Sequence, residues 1–128
     1  MRKENRDIVD AWSLAHLSFG ITVFYITFAI TGRRQWWMPS VIIVAGFAWE
    51  LLENNPWFKR KLRGWGFPDY YGDSGRNMTT DQMFNIIGFS MAFFGPRWFV
   101  LLPALNEVLM WFMIGDNTTL AILRAIKN

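Results

Sequence analysis

The chain contains no cysteine among its 128 residues, so neither a disulfide nor a thiolate metal site can form. A membrane-embedded chain needs no disulfides, so this absence does not report on redox compartment. Histidine occurs once, as His16, and this excludes the di-iron pattern of helical bundles, which needs two Glu-x-x-His pairs. There is no long run of one charge sign. The 13 basic and 10 acidic residues leave a net charge of +3, with no basic tract of the kind that binds nucleic acid. No glycine pattern for nucleotide phosphates occurs, and no haem motif. The seven Met are dispersed, without a Met-x-x-Met pair for copper. Internal repeats and low-complexity tracts are also missing.

What the chain has in excess is apolar and aromatic surface. Hydrophobic residues make up 52% and aromatics 18%, with eight Trp and twelve Phe, more than a soluble domain of this size can hide. They come in long blocks, which predicts an all-α fold: a polytopic membrane protein built as a four-transmembrane-helix bundle. Spans are expected at about 9–31, 39–53, 80–94 and 98–115, in a single domain covering 1–128. A helix of roughly 20 residues crosses a hydrocarbon core of about 30 Å. The first block opens near Ile8 with no small-residue cleavage site after it, and reads as a retained helix instead of a signal peptide. Gly32, Arg33 and Arg34 end it, and Trp36 and Trp37 suit an interface. Pro39 fits the first turn of a second, short helix that Asn54, Asn55 and Pro56 close. The stretch 54–79, with Gly64, Gly66, Pro68, Gly72 and Gly75, reads as a long cytoplasmic loop without continuous helix. Thr79 or Thr80 is the expected N-cap of the third span, with Asp81 in its first turn. Asp116–Asn128 reads as an amphipathic interfacial helix capped by Asp116 or Asn117.

Charge orients the bundle. The N-terminus, the long loop and the C-terminus hold ten of the basic residues, and the two short connections hold three, Arg33, Arg34 and Arg97. The positive-inside rule then places both termini and the loop in the cytoplasm of a bacterial inner membrane. With that topology the polar residues converge. Asp10, Ser13 and His16 open the first span, Glu50 and Glu53 close the second, and Asp81 and Asn85 open the third. Glu107 lies nine residues before Asp116, about 13 Å deeper at helical rise. Ser13 and His16, Glu50 and Glu53, and Asp81 and Asn85 each share a helix face. Ionisable groups at membrane depth are costly and usually face the bundle interior.

Three readings of this cluster remain open. It can hold a divalent metal such as Mg²⁺, Mn²⁺ or Zn²⁺. It can perform acid–base chemistry on a lipid headgroup. In that reading His16 or Glu50 is the base, Glu53, Asp73 and Asp81 are further candidates, and Arg76 or Arg63 holds a phosphate or carboxylate. Asn77, Asn85 and Glu107 are then the ligand-binding candidates, and Asp69 and Ser74 of the loop add polar groups. Alternatively, the cluster consists of interhelical hydrogen bonds and ion pairs that fix packing. Gly72-Asp73-Ser74-Gly75 matches a string found around serine nucleophiles, but no strand–helix elbow surrounds it and a tight turn is expected. The corresponding functions are binding or processing of a lipid-linked or anionic ligand, and a non-catalytic accessory role beside partner membrane subunits or further copies of the chain.

Three separated stretches carry a resemblance. Trp49-Glu50-Leu51-Leu52-Glu53-Asn54-Asn55-Pro56, then Tyr70-Tyr71-Gly72-Asp73-Ser74 with Asn77 and Asp81, then Asp116-Asn117-Thr118-Thr119-Leu120 resemble the signature stretches of a bacterial inner-membrane family, domain of unknown function 2585. Gly115 stands where that pattern has Arg, and Ala121 where it has Asn. More distantly, the order His16, Glu50, Arg76, Asp81, Asn85 and Gly88 is similar to the VanZ-like membrane proteins. These resemblances imply the helical membrane fold and point to the same positions, without supplying a reaction.

Overall fold

The computed structural model describes residues 9–127. The expected helix opening at Ile8 and the N-terminal basic residues Arg2, Lys3 and Arg6 lie outside the described residues. Within them the chain is all-helical, with no strand. The elements are α1 (Ser13–Thr31), α2 (Met38–Glu53), α3 (Pro56–Gly64), α4 (Gly75–Phe94), a 3-10 turn (Arg97–Leu101), α5 (Leu102–Ile114) and α6 (Thr118–Lys127).

Among the described residues two helices, not four, are long and apolar enough to cross a membrane by length and composition. They are Ser13–Thr31 and the continuous arm Arg97–Ile114. The other two expected spans fall short for different reasons. At 16 residues, α2 is brief. The 20-residue α4 is long enough, but its first eleven residues carry Arg76, Asn77, Asp81, Gln82 and Asn85. Only 22% and 11% of the two apolar windows are buried. Trp36, Phe94, Trp98 and Phe112 are among the large side chains left exposed. Such a surface is expected next to lipid and is costly in water.

At the centre stands α1, against which α2, α4 and α5 pack. Glycine allows the closest of these approaches. A Cβ on Gly20 would land on the Asn85 carbonyl oxygen, and one on Gly88 would land on the Leu17 carbonyl oxygen. The α1 and α4 backbones therefore touch where these two glycines face one another, the small-residue contact that membrane helices favour. Beyond that crossing lies an aromatic core. The Phe24 ring meets Phe89 at 5.6 Å and Phe93 at 5.9 Å edge-on, and stacks on Phe28 at 5.8 Å. Ile21, Met38, Ile42 and Ala92 are buried with it. Gly32 closes α1 with φ +69, a left-handed conformation that costs glycine little, and its N–H bonds the Phe28 carbonyl.

Two boundaries correct the sequence expectation. The loop 54–79 contains a helix, α3: Asn55 caps it by accepting from the Trp57 N–H at 2.9 Å, and Pro56 occupies its first turn. The glycines that argue against helix all lie at or after its end. Likewise α4 begins at Gly75, where the Ser74 hydroxyl accepts from the Asn77 N–H at 3.3 Å. Ser74, not Thr79 or Thr80, is thus the cap, and Asp81 sits well inside the helix instead of in its first turn. The threonine hydroxyls bond carbonyls one turn back, Thr79 to Gly75 and Thr80 to Arg76.

Candidate functional site

The polar residues of α1, α2 and α4 meet at one end of the bundle, on the near side of the Gly20–Gly88 crossing. Ser13 and His16 are one turn apart on α1, and Asp81 and Asn85 share a face of α4, so the close α1–α4 contact brings the two pairs together. The Ser13 hydroxyl donates to Asp81 Oδ1 at 3.1 Å. That leaves Asp81 Oδ2 facing His16 Nε2 at 3.7 Å, while His16 Nδ1 lies 3.9 Å from Glu50 Oε1. The imidazole is therefore held between carboxylates from two different helices. Glu50 is only 3% exposed, yet neither of its carboxylate oxygens has a hydrogen-bond partner. Burying a carboxylate in this way is costly unless something compensates its charge.

A cavity of about 440 Å³ opens beside this cluster. His16, Glu53, Asp73, Asn77 and Asp81 line its polar side, and Trp12, Trp49, Phe58, Leu62, Trp65 and Phe67 line its apolar side. Glu50 lies just behind that lining. No Lys or Arg is among the residues that form the wall.

The walls depend on the 65–74 segment and on two short helices. Asn54 ties the end of α2 to this segment: its Nδ2 donates to the Glu50 carbonyl at 3.1 Å, and its Oδ1 accepts from the Asp73 N–H at 2.8 Å. The Tyr70 hydroxyl donates to Asp73 Oδ2 at 2.5 Å. Burial first, and the Glu53 carboxylate next, push the Tyr70 phenol well above its ordinary range. From α3, Lys59 donates to the Tyr71 carbonyl at 3.2 Å and Arg63 to the Tyr70 carbonyl at 3.1 Å. On the other side, Arg124 of α6 donates to the Trp65 carbonyl at 3.1 Å and to Asp116 Oδ2 at 2.6 Å. Its guanidinium also lies over the Phe67 ring at 5.2 Å. Asp116 thus finds its cationic partner eight residues downstream. Asn117 caps α6 by accepting from the Leu120 N–H at 2.9 Å. Ala121, Ile122 and Ala125 of α6 then complete the cavity wall.

Not every candidate residue falls here. His16, Glu53, Asp73, Asn77 and Asp81 line the cavity, Glu50 backs it, and the fully buried Asn85 donates to Gln82 at 3.2 Å beneath it. Arg76 is exposed and outside the lining, so it is not placed to hold an anion there. Arg63 spends a guanidinium donor on the loop backbone. Glu107 is also elsewhere: its carboxylate accepts from the Thr119 N–H at 2.8 Å at the start of α6. Depth along α5 placed Glu107 near the cluster, but helix rotation turned it toward α6. Ser74 is a helix cap, and the Gly-Asp-Ser-Gly string leads into α4 through an extended Ser74 instead of forming the tight turn expected. Two features escaped sequence reading. Asn106 donates to Ser18 at 3.0 Å inside the α1–α5 contact. The aromatic wall was legible in principle, because Phe58, Leu62 and Trp65 recur at helical spacing in the segment taken for loop.

Comparisons with known proteins match the chain's sequence from end to end. The family model described as "Protein of unknown function (DUF2585)" matches residues 1–128, and the chain belongs to that family. A UPF0314 protein of Sphingopyxis alaskensis is 30% identical over 129 residues, covering 98% of this chain and 68% of the relative. Those of Brucella anthropi and Paracoccus denitrificans are 29% and 25% identical, and the chain spans 64% of the length of each. No solved structure matches the chain. These matches carry the first of the two resemblances read from the sequence, while the VanZ-like one rests on its six residues alone.

Proposed function

We propose that this DUF2585 chain is a small multi-pass protein of the bacterial inner membrane. It binds an amphiphilic, lipid-linked molecule, with the polar head against His16, Asp81 and Glu53. The observation that carries this reading is the two-sided cavity, with titratable groups on one side and Trp and Phe on the other. Its volume of about 440 Å³ matches a headgroup and the first part of a chain.

The membrane placement is supported by the lipid-like exposure of α1 and of the arm 97–114. Because α4 lies along α1, it shares the depth of α1 in the bilayer, and its polar half is shielded by the helices around it. The shorter α2 reaches across by tilt and local thinning. Excess Lys and Arg in the 54–74 segment and near α6 orient the cavity toward the cytoplasm. In that orientation α3 and α6, both amphipathic, lie at headgroup level and flank the cavity mouth.

The test is purification of the full chain in mild detergent, followed by extraction and mass spectrometry of retained amphiphiles. One species bound at near-unit stoichiometry is expected, and Ala121→Trp, which fills the cavity from α6, should displace it. Equal retention by Ala121→Trp and the parent chain would sink the proposal, as would a parent chain that holds no such molecule.

A further inference from the structure

We infer that His16, Glu50 and Asp81 form a divalent-cation site at the polar floor of the cavity, with one donor from each of α1, α2 and α4. One nitrogen of His16 and one oxygen of each carboxylate lie within 4.8 Å of one another. A tetrahedral ion bound at about 2.1 Å holds its donors about 3.4 Å apart. The 3.7 Å approach to Asp81 and the 3.9 Å approach to Glu50 use different ring nitrogens, so an ion on one of them draws donors that now lie within 4.8 Å of one another together by at most about 1.4 Å.

The second and independent observation is Glu50. Its two oxygens are buried without a hydrogen-bond partner, and one of them is turned toward the imidazole. Packing alone does not account for a carboxylate in that state, because an interhelical hydrogen bond would satisfy it and none is made. Nor does a protonated His16 suffice. The separations are too long for hydrogen bonds, and one positive charge cannot balance two carboxylates with Glu53 and Asp73 lining the same cavity. A divalent cation satisfies both carboxylates and uses the imidazole as a neutral donor.

The outer contacts fit this assignment. By donating to Asp81 Oδ1, Ser13 fixes the carboxylate and aims Oδ2 at the site, as partners of metal-bound carboxylates commonly do. An imidazole donor favours Zn²⁺ or Mn²⁺ over Ca²⁺. The cation site stands on its own geometry. Only its further use, as the positive charge that admits an anionic head to a cavity without Lys or Arg, rests on the function proposed above.

The experiment strips the purified full chain with chelator and adds Zn²⁺ alone or Mn²⁺ alone. Metal retained per chain after desalting and the shift in melting temperature are then measured. One equivalent per chain and a raised melting temperature are expected. Glu50→Gln and Asp81→Asn should each weaken binding roughly 100-fold or more, and Ser13→Ala, which removes no donor, about 10–100-fold. Glu107→Gln should bind as the parent does. In chelator, Glu50→Gln should melt no lower than the parent, which separates a lost ligand from a lost fold. If Asp81→Asn does not fold, Ser13→Ala carries the comparison. Metal retention that is unchanged in Glu50→Gln and Ser13→Ala overturns the assignment, as does a parent chain that retains none. Since no amphiphile is added, a negative result here does not decide the lipid experiment, and a negative lipid result does not decide this one.

Discussion

The two ends of the bundle are made by the same helices and solve packing in opposite ways. Beyond the Gly20–Gly88 crossing, α1, α2 and α4 interlock Ile21, Phe24, Met38, Ile42, Phe89 and Ala92, all of them buried. On the near side the same three helices bury Ser13, Glu50, Asn77, Asp81 and Asn85. One end is a filled aromatic core. The other leaves a cavity and a carboxylate without hydrogen bonds. A chain selected only for stability would extend the first solution along the whole bundle, so the polar end is where function is to be sought. The crossing glycines belong to both ends, because backbone contact at that level sets the spacing of everything on either side.

This comparison is broken most severely at the crossing itself. Gly88→Leu puts a side chain onto the Leu17 backbone, where nothing flexible can yield. The helices must separate, and folded, monodisperse protein in detergent should be largely lost. Next comes Phe24→Ala in the filled end, expected to cost about 3–5 kcal/mol in unfolding experiments. It should leave metal retention of the surviving folded protein unchanged. Glu50→Gln is its counterpart at the polar end and should show the reverse, with little or no loss of stability in chelator and a large loss of metal binding. If Phe24→Ala and Glu50→Gln destabilise equally and neither alters metal retention, the two ends do not differ in kind.

Much of the filled end was legible in the sequence, because blocks such as Ile21–Ile30 and Ile86–Phe94 announce apolar helices without further context. The polar end was partly legible, since the three-residue and four-residue spacings of Ser13/His16 and Asp81/Asn85 put each pair on one face. The rest depended on rotation and capping, which spacing along one helix does not contain. Glu107 sits at a suitable depth but on the α6 side, and Arg76 lies on an exposed turn of α4. The α3 wall was hidden because Asn55-Pro56 ends one helix and begins another, and only the first role was read. Two of the four expected spans fail the test of length and apolar composition for a related reason. Block length does not reveal that α4 spends its first half on polar contacts and that α2 is a turn short.

A smaller effect tests whether the cavity walls are set by the cap residues. Ser74→Ala removes the hydroxyl that accepts from Asn77 N–H, and should cost about 1 kcal/mol. It should also loosen Asn77 in the cavity lining, seen as faster hydrogen exchange over 74–78 with the aromatic core unaffected.

The finest distinction concerns Tyr70, which joins the loop to the polar side through Asp73. Burial and the neighbouring Glu53 carboxylate raise its phenol above the ordinary value, so the folded state holds that proton more tightly than the unfolded chain does. The stabilisation is then fully present below the ordinary phenol range near pH 10, and falls as pH rises above it, because only the unfolded chain releases the proton readily there. Tyr70→Phe gives up the hydrogen bond to Asp73 at neutral pH, a loss of about 1 kcal/mol. In exchange it cannot ionise, so its melting temperature should decline less steeply than that of the parent between about pH 9 and pH 11. Parallel declines would mean that the phenol is open to water in solution and that the loop does not close the cavity. A shallower decline in the variant would show that the loop seals the polar end as tightly as the phenylalanines seal the other.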